Sequence, residues 1–262
     1  MDYSKLFDLT EKVCIVTGGT GYLGAQNVNA MNDFGATVIV ADIRDEESRW
    51  SVKGVPPRGI FLACDVSSTD SIKSCFKSVF DRYGRIDVLV NCAAYGAGYG
   101  LGSQIEFMDD ESWATGIDGT VGSAFRCTRE VIPYMKTNGG SIINYASMYG
   151  VVSPDPRIYG DNPQKQPPNY GAGKAAIIQL TRYCAAHLAQ YKIRVNSVTP
   201  GPFPNPANQQ DGRFNEQLAN KTMMGRFGQS HEMAGAILLL ASEASSFMTG
   251  SNITVDGGWT AW

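Results

Sequence analysis

Short apolar runs of β type alternate with helical patterns along the whole chain. The runs fall at residues 13–17, 36–41, 59–64, 86–91, 141–145, 193–198 and 252–255. Helical patterns lie between them at about 22–34, 69–83, 109–137, 170–190 and 231–244. Runs that are apolar on both faces suit strands covered above and below, which is the condition of a parallel sheet. The alternation therefore predicts an α/β fold: a Rossmann-type, doubly wound, seven-stranded parallel sheet with helices on both faces. The sheet uses nearly all of the 262 residues, and no tandem repeat or low-complexity linker interrupts it, so one domain over 1–262 is expected.

Two stretches break the rhythm. Residues 151–169 carry Pro154, Pro156, Pro163, Pro167 and Pro168 among polar residues, and residues 200–228 open on Pro200-Gly201-Pro202-Phe203-Pro204-Asn205-Pro206. Proline fixes φ and lacks a backbone donor, so both read as loops. Loops of this length in a compact domain are often lids, and lids are expected near 151–169 and 202–228.

Composition excludes several classes. Hydrophobic residues make up 43% and charged residues 18%, enough for a substantial core. A net charge of −3 without a basic run lacks the footprint of nucleic-acid binding. No apolar run approaches a membrane span, and Asp2, Lys5 and Asp8 interrupt the start, against a signal peptide. Six cysteines are scattered without Cys-x-x-Cys spacing, and Cys14, Cys64 and Cys92 lie in or beside strand runs; buried thiols in a reducing cytoplasm are expected. With only His187 and His231, far apart, no metal site is expected.

The first run leads into Thr17-Gly18-Gly19-Thr20-Gly21-Tyr22-Leu23-Gly24. Gly19, Gly21 and Gly24 have the G-x-G-x-x-G spacing between a strand and a helix. Missing side chains let backbone approach a pyrophosphate, and the helix N-terminus offers free N–H groups and a positive dipole end. Asp42 ends the second run, 18 residues after Gly24, where a carboxylate meets the adenosine ribose hydroxyls. It would repel a 2′-phosphate, which favours NAD over NADP, although Arg44 nearby could accept that phosphate. Asp65-Val66, after the third run, is placed to contact adenine.

Tyr170 and Lys174 are four apart, hence on one helix face. A free Tyr has a pKa of about 10, and lowering it by about 3 units takes about 4 kcal/mol of differential stabilisation. A neighbouring ammonium is one source of it.

Taken with Asn91-Cys92-Ala93-Ala94, Ser141–Ser147, Arg194–Gly201 and Val255–Trp259, these motifs make the chain resemble the short-chain dehydrogenase/reductase family in its single-domain branch, over nearly its whole length. The resemblance implies that Ser147 hydrogen-bonds the substrate oxygen, that Tyr170 exchanges the proton, and that Lys174 holds the nicotinamide ribose and depresses the Tyr170 pKa. It implies a dinucleotide-binding catalytic domain. Cofactor contacts would come from Gly18, Thr20, Gly21, Tyr22, Leu23, Asp42, Ile43, Asp65, Val66, Asn91, Ala93, Tyr170, Lys174, Pro200, Gly201 and Phe203. Tyr95, Ser147, Tyr149, Tyr159 and Pro202 would meet the substrate. A homotetramer or homodimer is implied as well, with the helical regions 109–137 and 170–190 and the segment around Trp259 and Trp262 as candidate interfaces.

Three positions depart from the family pattern. Tyr22 replaces a glycine of the usual turn, and Gly21 gives the spacing of the extended, sugar-nucleotide-modifying branch. Cys92-Ala93-Ala94 replaces Asn-Ala-Gly. Thr120 stands where the proton-relay Asn is usual. The 23 residues from Ser147 to Tyr170 also exceed the family's spacing; the extra segment, around Asp155, Arg157, Tyr159 and Asn162, is polar and suits a hydroxyl-rich ligand. This is similar to the sugar- and polyol-oxidising members, gluconate 5-dehydrogenase-like enzymes among them. The expected function is NAD(H)-dependent interconversion of a secondary alcohol and ketone on a sugar, sugar acid or polyol. Transient oxidation by a nucleotide-sugar epimerase or dehydratase, and a catalytically silent NAD-binding protein, are the alternatives.

Overall fold

Alternate residues of the central strands enter opposite cores, and this determines the layering. The computed structural model describes residues 2–43, 58–98, 101–160, 165–205 and 212–262. The strands are β1 (Val13–Thr17), β2 (Thr37–Asp42), β3 (Ile60–Ala63), β4 (Val88–Asn91), β5 (Gly140–Tyr145), β6 (Ile193–Pro200) and β7 (Asn252–Val255). All pair in parallel in the order β3-β2-β1-β4-β5-β6-β7. Ile15 and Leu89 face one core, shared with Ile72, Phe76, Val131 and Leu188. Val16 and Val90 face the other, shared with Val28, Met31, Ile237 and Leu240.

These core residues place the helices. On the first face lie α2 (Thr69–Tyr83), α4 (Ser123–Met135) and α5 (Pro168–Leu188); on the second lie α1 (Gly24–Asp33) and α7 (Ala234–Ala241). The Ser68 hydroxyl accepts the Ser71 amide at the start of α2, and Gly84 closes it at φ 71°, a left-handed conformation that glycine adopts freely. The strand order reverses between β1 and β4, which opens a crevice at the carboxyl ends of the strands. Among the described residues no helix is long and apolar enough to cross a membrane.

The sequence pattern misplaced some elements. The helix expected over 109–137 is broken: α3 (Asp110–Ile117) runs into a π turn, Asp118–Gly122, before α4 begins. The pattern at 231–244 resolves into a 3-10 turn, Ser230–Met233, followed by the shorter α7. The loop expected over 200–228 contains α6 (Gly212–Asn220), and the loop over 151–169 contains a 3-10 turn, Pro156–Tyr159, and the start of α5. Helix α6 is short and anchored by Leu218, so the prolines before it end β6 without forbidding a helix further on. Arg44, Asn162, Pro163 and Pro206 lie outside the described residues.

Candidate active site

The turn after β1 admits only glycine at two points. Gly18 has φ +66°, and a Cβ there would lie 2.8 Å from the Ala93 Cα; one on Gly24 would lie 2.1 Å from the Gly18 carbonyl oxygen. The turn thus folds back on itself and seats α1 against β1. Gly21, by contrast, would meet only the Gly18 oxygen, at 3.1 Å. Its outer side faces a cleft of about 750 Å³ that Tyr22, Asp42, Asp65, Ala93 and Tyr95 also line.

Asp42 ends β2 on the cleft wall. Its Oδ2 accepts the Thr20 amide at 3.1 Å and the Thr20 hydroxyl at 2.6 Å, and its Oδ1 accepts the Ile43 amide at 2.8 Å. A carboxylate has about four acceptor positions, so hydroxyls in the cleft can still be bound. Asp65 is exposed and held by the Ser67 amide and hydroxyl at 2.9 and 2.7 Å. A backbone cradle with no room for a Cβ, opening on a fixed carboxylate, fits a dinucleotide.

Other expected cofactor residues stand differently. Leu23 packs against the core of α1 and α7. Asn91 is buried: its Nδ2 donates to Asn144 Oδ1 at 2.8 Å and to Thr128 Oγ1 at 3.2 Å, and Asn144 Nδ2 donates to Thr181 Oγ1 at 3.0 Å. Its side chain thus joins β4 to β5 and α4, and Asn144 carries the link on to α5. After Asn91, residues Cys92, Ala93, Ala94 and Tyr95 line the cleft, and burial pushes the Cys92 thiol up to about 12. Gly201 is pressed against Asp256, where a Cβ would come within 2.5 Å of the Asp256 Cα. The Phe203 ring packs on Gly228, and Pro202 and Phe203 line a separate cavity of about 90 Å³ with Met224 and Arg226.

Ser147, Tyr170 and Lys174 converge beyond the end of β5. Ser147 Oγ accepts the Tyr149 amide at 3.2 Å, opening the 3-10 turn Met148–Gly150. Tyr170 lies in the first turn of α5 and Lys174 one turn on. The Lys174 ammonium donates to the Tyr145 carbonyl at 2.7 Å and sits 5.5 Å from the centre of the Tyr170 ring. Lys174 is 5% exposed, and burial brings its pKa down to about 8. The Tyr170 ring is partly exposed, but its hydroxyl is enclosed. Burial pushes that phenol up, a hydrogen bond with Ser147 pulls it back, and Cys92 pushes it up again. Among the protein's own groups, burial is thus the largest influence on the Tyr170 phenol.

Thr120, in the π turn, is fully enclosed. Its hydroxyl donates to the Gly116 and Ile117 carbonyls at 2.8 and 3.1 Å, and its own carbonyl accepts the Ser123 hydroxyl at 2.9 Å. A Cβ on Gly173 would come within 1.8 Å of Thr120 Oγ1, so α5 lies directly on this turn.

Beside α5 lies a cavity of about 520 Å³, walled by Gln104, Glu106, Tyr149, Tyr159, Gln166 and Gly171 among others. Tyr149 meets Trp259 edge-on at 6.3 Å, and Tyr159 stacks on Phe214 at 5.4 Å. Lys221 pairs with Asp155 at 2.6 Å, so the two Pro-rich segments are joined by both a ring stack and an ion pair. Of the two tryptophans in the C-terminal candidate interface segment, Trp259 is buried here and Trp262 is exposed. Tyr95, expected at the substrate, lines the cleft that Asp42 borders and not this cavity. Arg126, which no sequence motif marked, binds the Tyr95 hydroxyl at 2.8 Å.

Comparison with known proteins agrees with this geometry. A family model described as Enoyl-(Acyl carrier protein) reductase matches residues 22–260. A 3-oxoacyl-(acyl-carrier-protein) reductase of Thermotoga maritima is 37% identical over 255 residues, 95% of this chain and 98% of the relative. An NAD-dependent glycerol dehydrogenase of Listeria innocua is 29% identical over 264 residues, 98% of this chain and 97% of the relative. A solved gluconate 5-dehydrogenase of Burkholderia cenocepacia, in complex with NADP and tartrate, superposes with a TM-score of 0.84 at 26% identity, covering 98% of each chain. The chain belongs to the short-chain dehydrogenase/reductase family. It is an oxidoreductase of that family, whose members use nicotinamide cofactors.

Proposed function

We propose that the protein is an NAD-dependent dehydrogenase of a secondary alcohol on a sugar, sugar acid or polyol. One observation carries the reading: the hydroxyls of Ser147 and Tyr170 and the ammonium of Lys174 gather at the carboxyl ends of the strands, beside the cleft that Asp42 borders. An alcohol loses hydride readily only as its O–H proton leaves, so a base and a hydride acceptor must flank one carbon. When bound, the nicotinamide supplies the hydride acceptor. Ser147 holds the substrate oxygen, Tyr170 takes its proton, and Lys174, anchored on Tyr145, fixes the base and binds the ribose.

Asp42 supports NAD over NADP, since a carboxylate fixed by Thr20 and Ile43 repels a 2′-phosphate. The polar groups around the 520 Å³ cavity (Gln104, Glu106, Tyr159, Lys165, Gln166) support a hydroxyl-rich substrate. Reduction of a 3-oxoacyl thioester is the competing reading, favoured by the identity to the Thermotoga reductase. Exposed Trp113, Phe125 and Tyr183 on α3, α4 and α5 support a homodimer or homotetramer, formed in the cytoplasm. A panel of polyols, sugar acids and acetoacetyl-CoA, with NAD+ or NADH and absorbance at 340 nm, tests the function. Oxidation of a polyol or sugar acid supports it; activity on the thioester alone would replace it.

A further inference from the structure

One guanidinium ties the walls of the cofactor cleft together from behind. Arg126, on α4, donates to Asp118 Oδ1 at 2.6 Å and to Asp118 Oδ2 at 3.0 Å. The same fork reaches the Tyr95 hydroxyl at 2.8 Å, and its Nε reaches the Val66 carbonyl at 3.0 Å. The Tyr95 hydroxyl in turn donates to Asp118 Oδ2. Segments after β3 and β4, the π turn and α4 thus meet at one side chain.

Two of these partners, Val66 and Tyr95, line the cleft, whereas Arg126 stands behind them with its side chain 15% exposed. The brace is charge-assisted. Arg126 holds the Asp118 carboxyl below the usual carboxylate range. Burial, with the Asp118 carboxylate, pushes the Tyr95 phenol up to about 12, so it remains a donor at neutral pH. The Tyr95 backbone is fixed as well: its amide donates to the Gly119 carbonyl at 3.2 Å, and a Cβ on Gly119 would lie 1.8 Å from the Tyr95 oxygen. Val66 and Tyr95 sit on segments outside any strand or helix, and the Arg126 bonds tie both to α4. A loop wall ordered in advance removes that ordering cost from binding.

We propose that Arg126 is a positioning residue for the dinucleotide: through Asp118, Tyr95 and Val66 it sets the cleft wall, and so governs cofactor affinity without taking part in the chemistry. The proposal rests on the cofactor reading of the cleft. Its test is titration of NADH and NADPH into the full-length protein by nucleotide fluorescence, with unfolding followed in parallel by circular dichroism.

For the nucleotide the wild type binds more tightly, Arg126→Met should raise Kd about tenfold, and Arg126→Lys should not restore it, because an ammonium cannot span three acceptors. Tyr95→Phe keeps the ring but drops both hydroxyl bonds, and should raise Kd about threefold. With a substrate in hand, the cofactor KM should rise in step while kcat holds. A folded Arg126→Met with wild-type Kd would overturn the proposal, as would a fall in kcat at unchanged KM. If Arg126→Met does not fold, an unchanged Kd in Tyr95→Phe overturns it. A wild type that binds neither nucleotide would remove the cofactor reading itself, and this proposal with it.

Discussion

The Lys174 ammonium stands 5.5 Å from the centre of the Tyr170 ring and is held there by the Tyr145 carbonyl, 2.7 Å away. The amine is thus fixed by β5, not by the phenol it flanks. Two adjacent strand-end and helix features, and not the i, i+4 spacing alone, make the pair.

Holding an ammonium in that position costs stability, and the cost depends on pH. Lys174 has its pKa lowered from 10.5 to about 8 in the folded protein. Between those values the unfolded chain binds more protons than the folded one, so stability rises with pH across that window. Below about pH 8 both states are protonated and the full penalty, up to about 3 kcal/mol, applies. Lys174→Met should therefore gain on the wild type more at pH 7.5 than at pH 9.5, read as the difference in urea midpoints. A difference independent of pH would count against the buried ammonium.

Gly173 and Thr120 should behave as a coupled pair. Gly173→Ala drives a methyl into Thr120 Oγ1 and should cost about 2 kcal/mol, although alanine is the better helix former. In a Thr120→Ala background the penalty should shrink by about 1 kcal/mol. Additive effects in denaturant unfolding would mean that α5 does not rest on the π turn.

Asp42 should control cofactor choice and leave the chemistry alone. Asp42→Ala removes the ribose acceptor and the repulsion of a 2′-phosphate, so the KM for NAD+ should rise about tenfold while that for NADP+ falls. The ratio of kcat/KM values for the two cofactors checks this. An unchanged ratio would assign discrimination to other residues.

The sheet was legible because burial on both faces leaves a continuous apolar run, as in β1, which is buried throughout and matches its run residue for residue; β7 matches its run too, although none of its residues is fully buried. The other strands each moved at one end or both, since pairing with a neighbour, not hydropathy, ends a strand. The break between α3 and α4 was hidden because 109–137 keeps an amphipathic pattern across it. Gly116, Gly119 and Gly122, three apart, were the available signal: a Cβ on each would strike Asn169, Tyr95 or Asp118. In α6, Phe214 and Leu218 at i, i+4 were the signal, masked by the prolines upstream. The nearness of Tyr170 and Lys174 was readable from their i, i+4 spacing, whereas Ser147 came only with the family resemblance. Arg126 was not, because its partners lie 8, 31 and 60 residues away and only the fold gathers them.

The most direct test of Tyr170 as the acid/base is Tyr170→Phe, assayed for NADH formation on whichever alcohol the wild type oxidises, with NADH binding measured alongside. Loss of the hydroxyl should cut kcat by about 10²–10⁴-fold while the Kd for NADH stays within about twofold. Full turnover by a Tyr170→Phe protein that still binds NADH would contradict it.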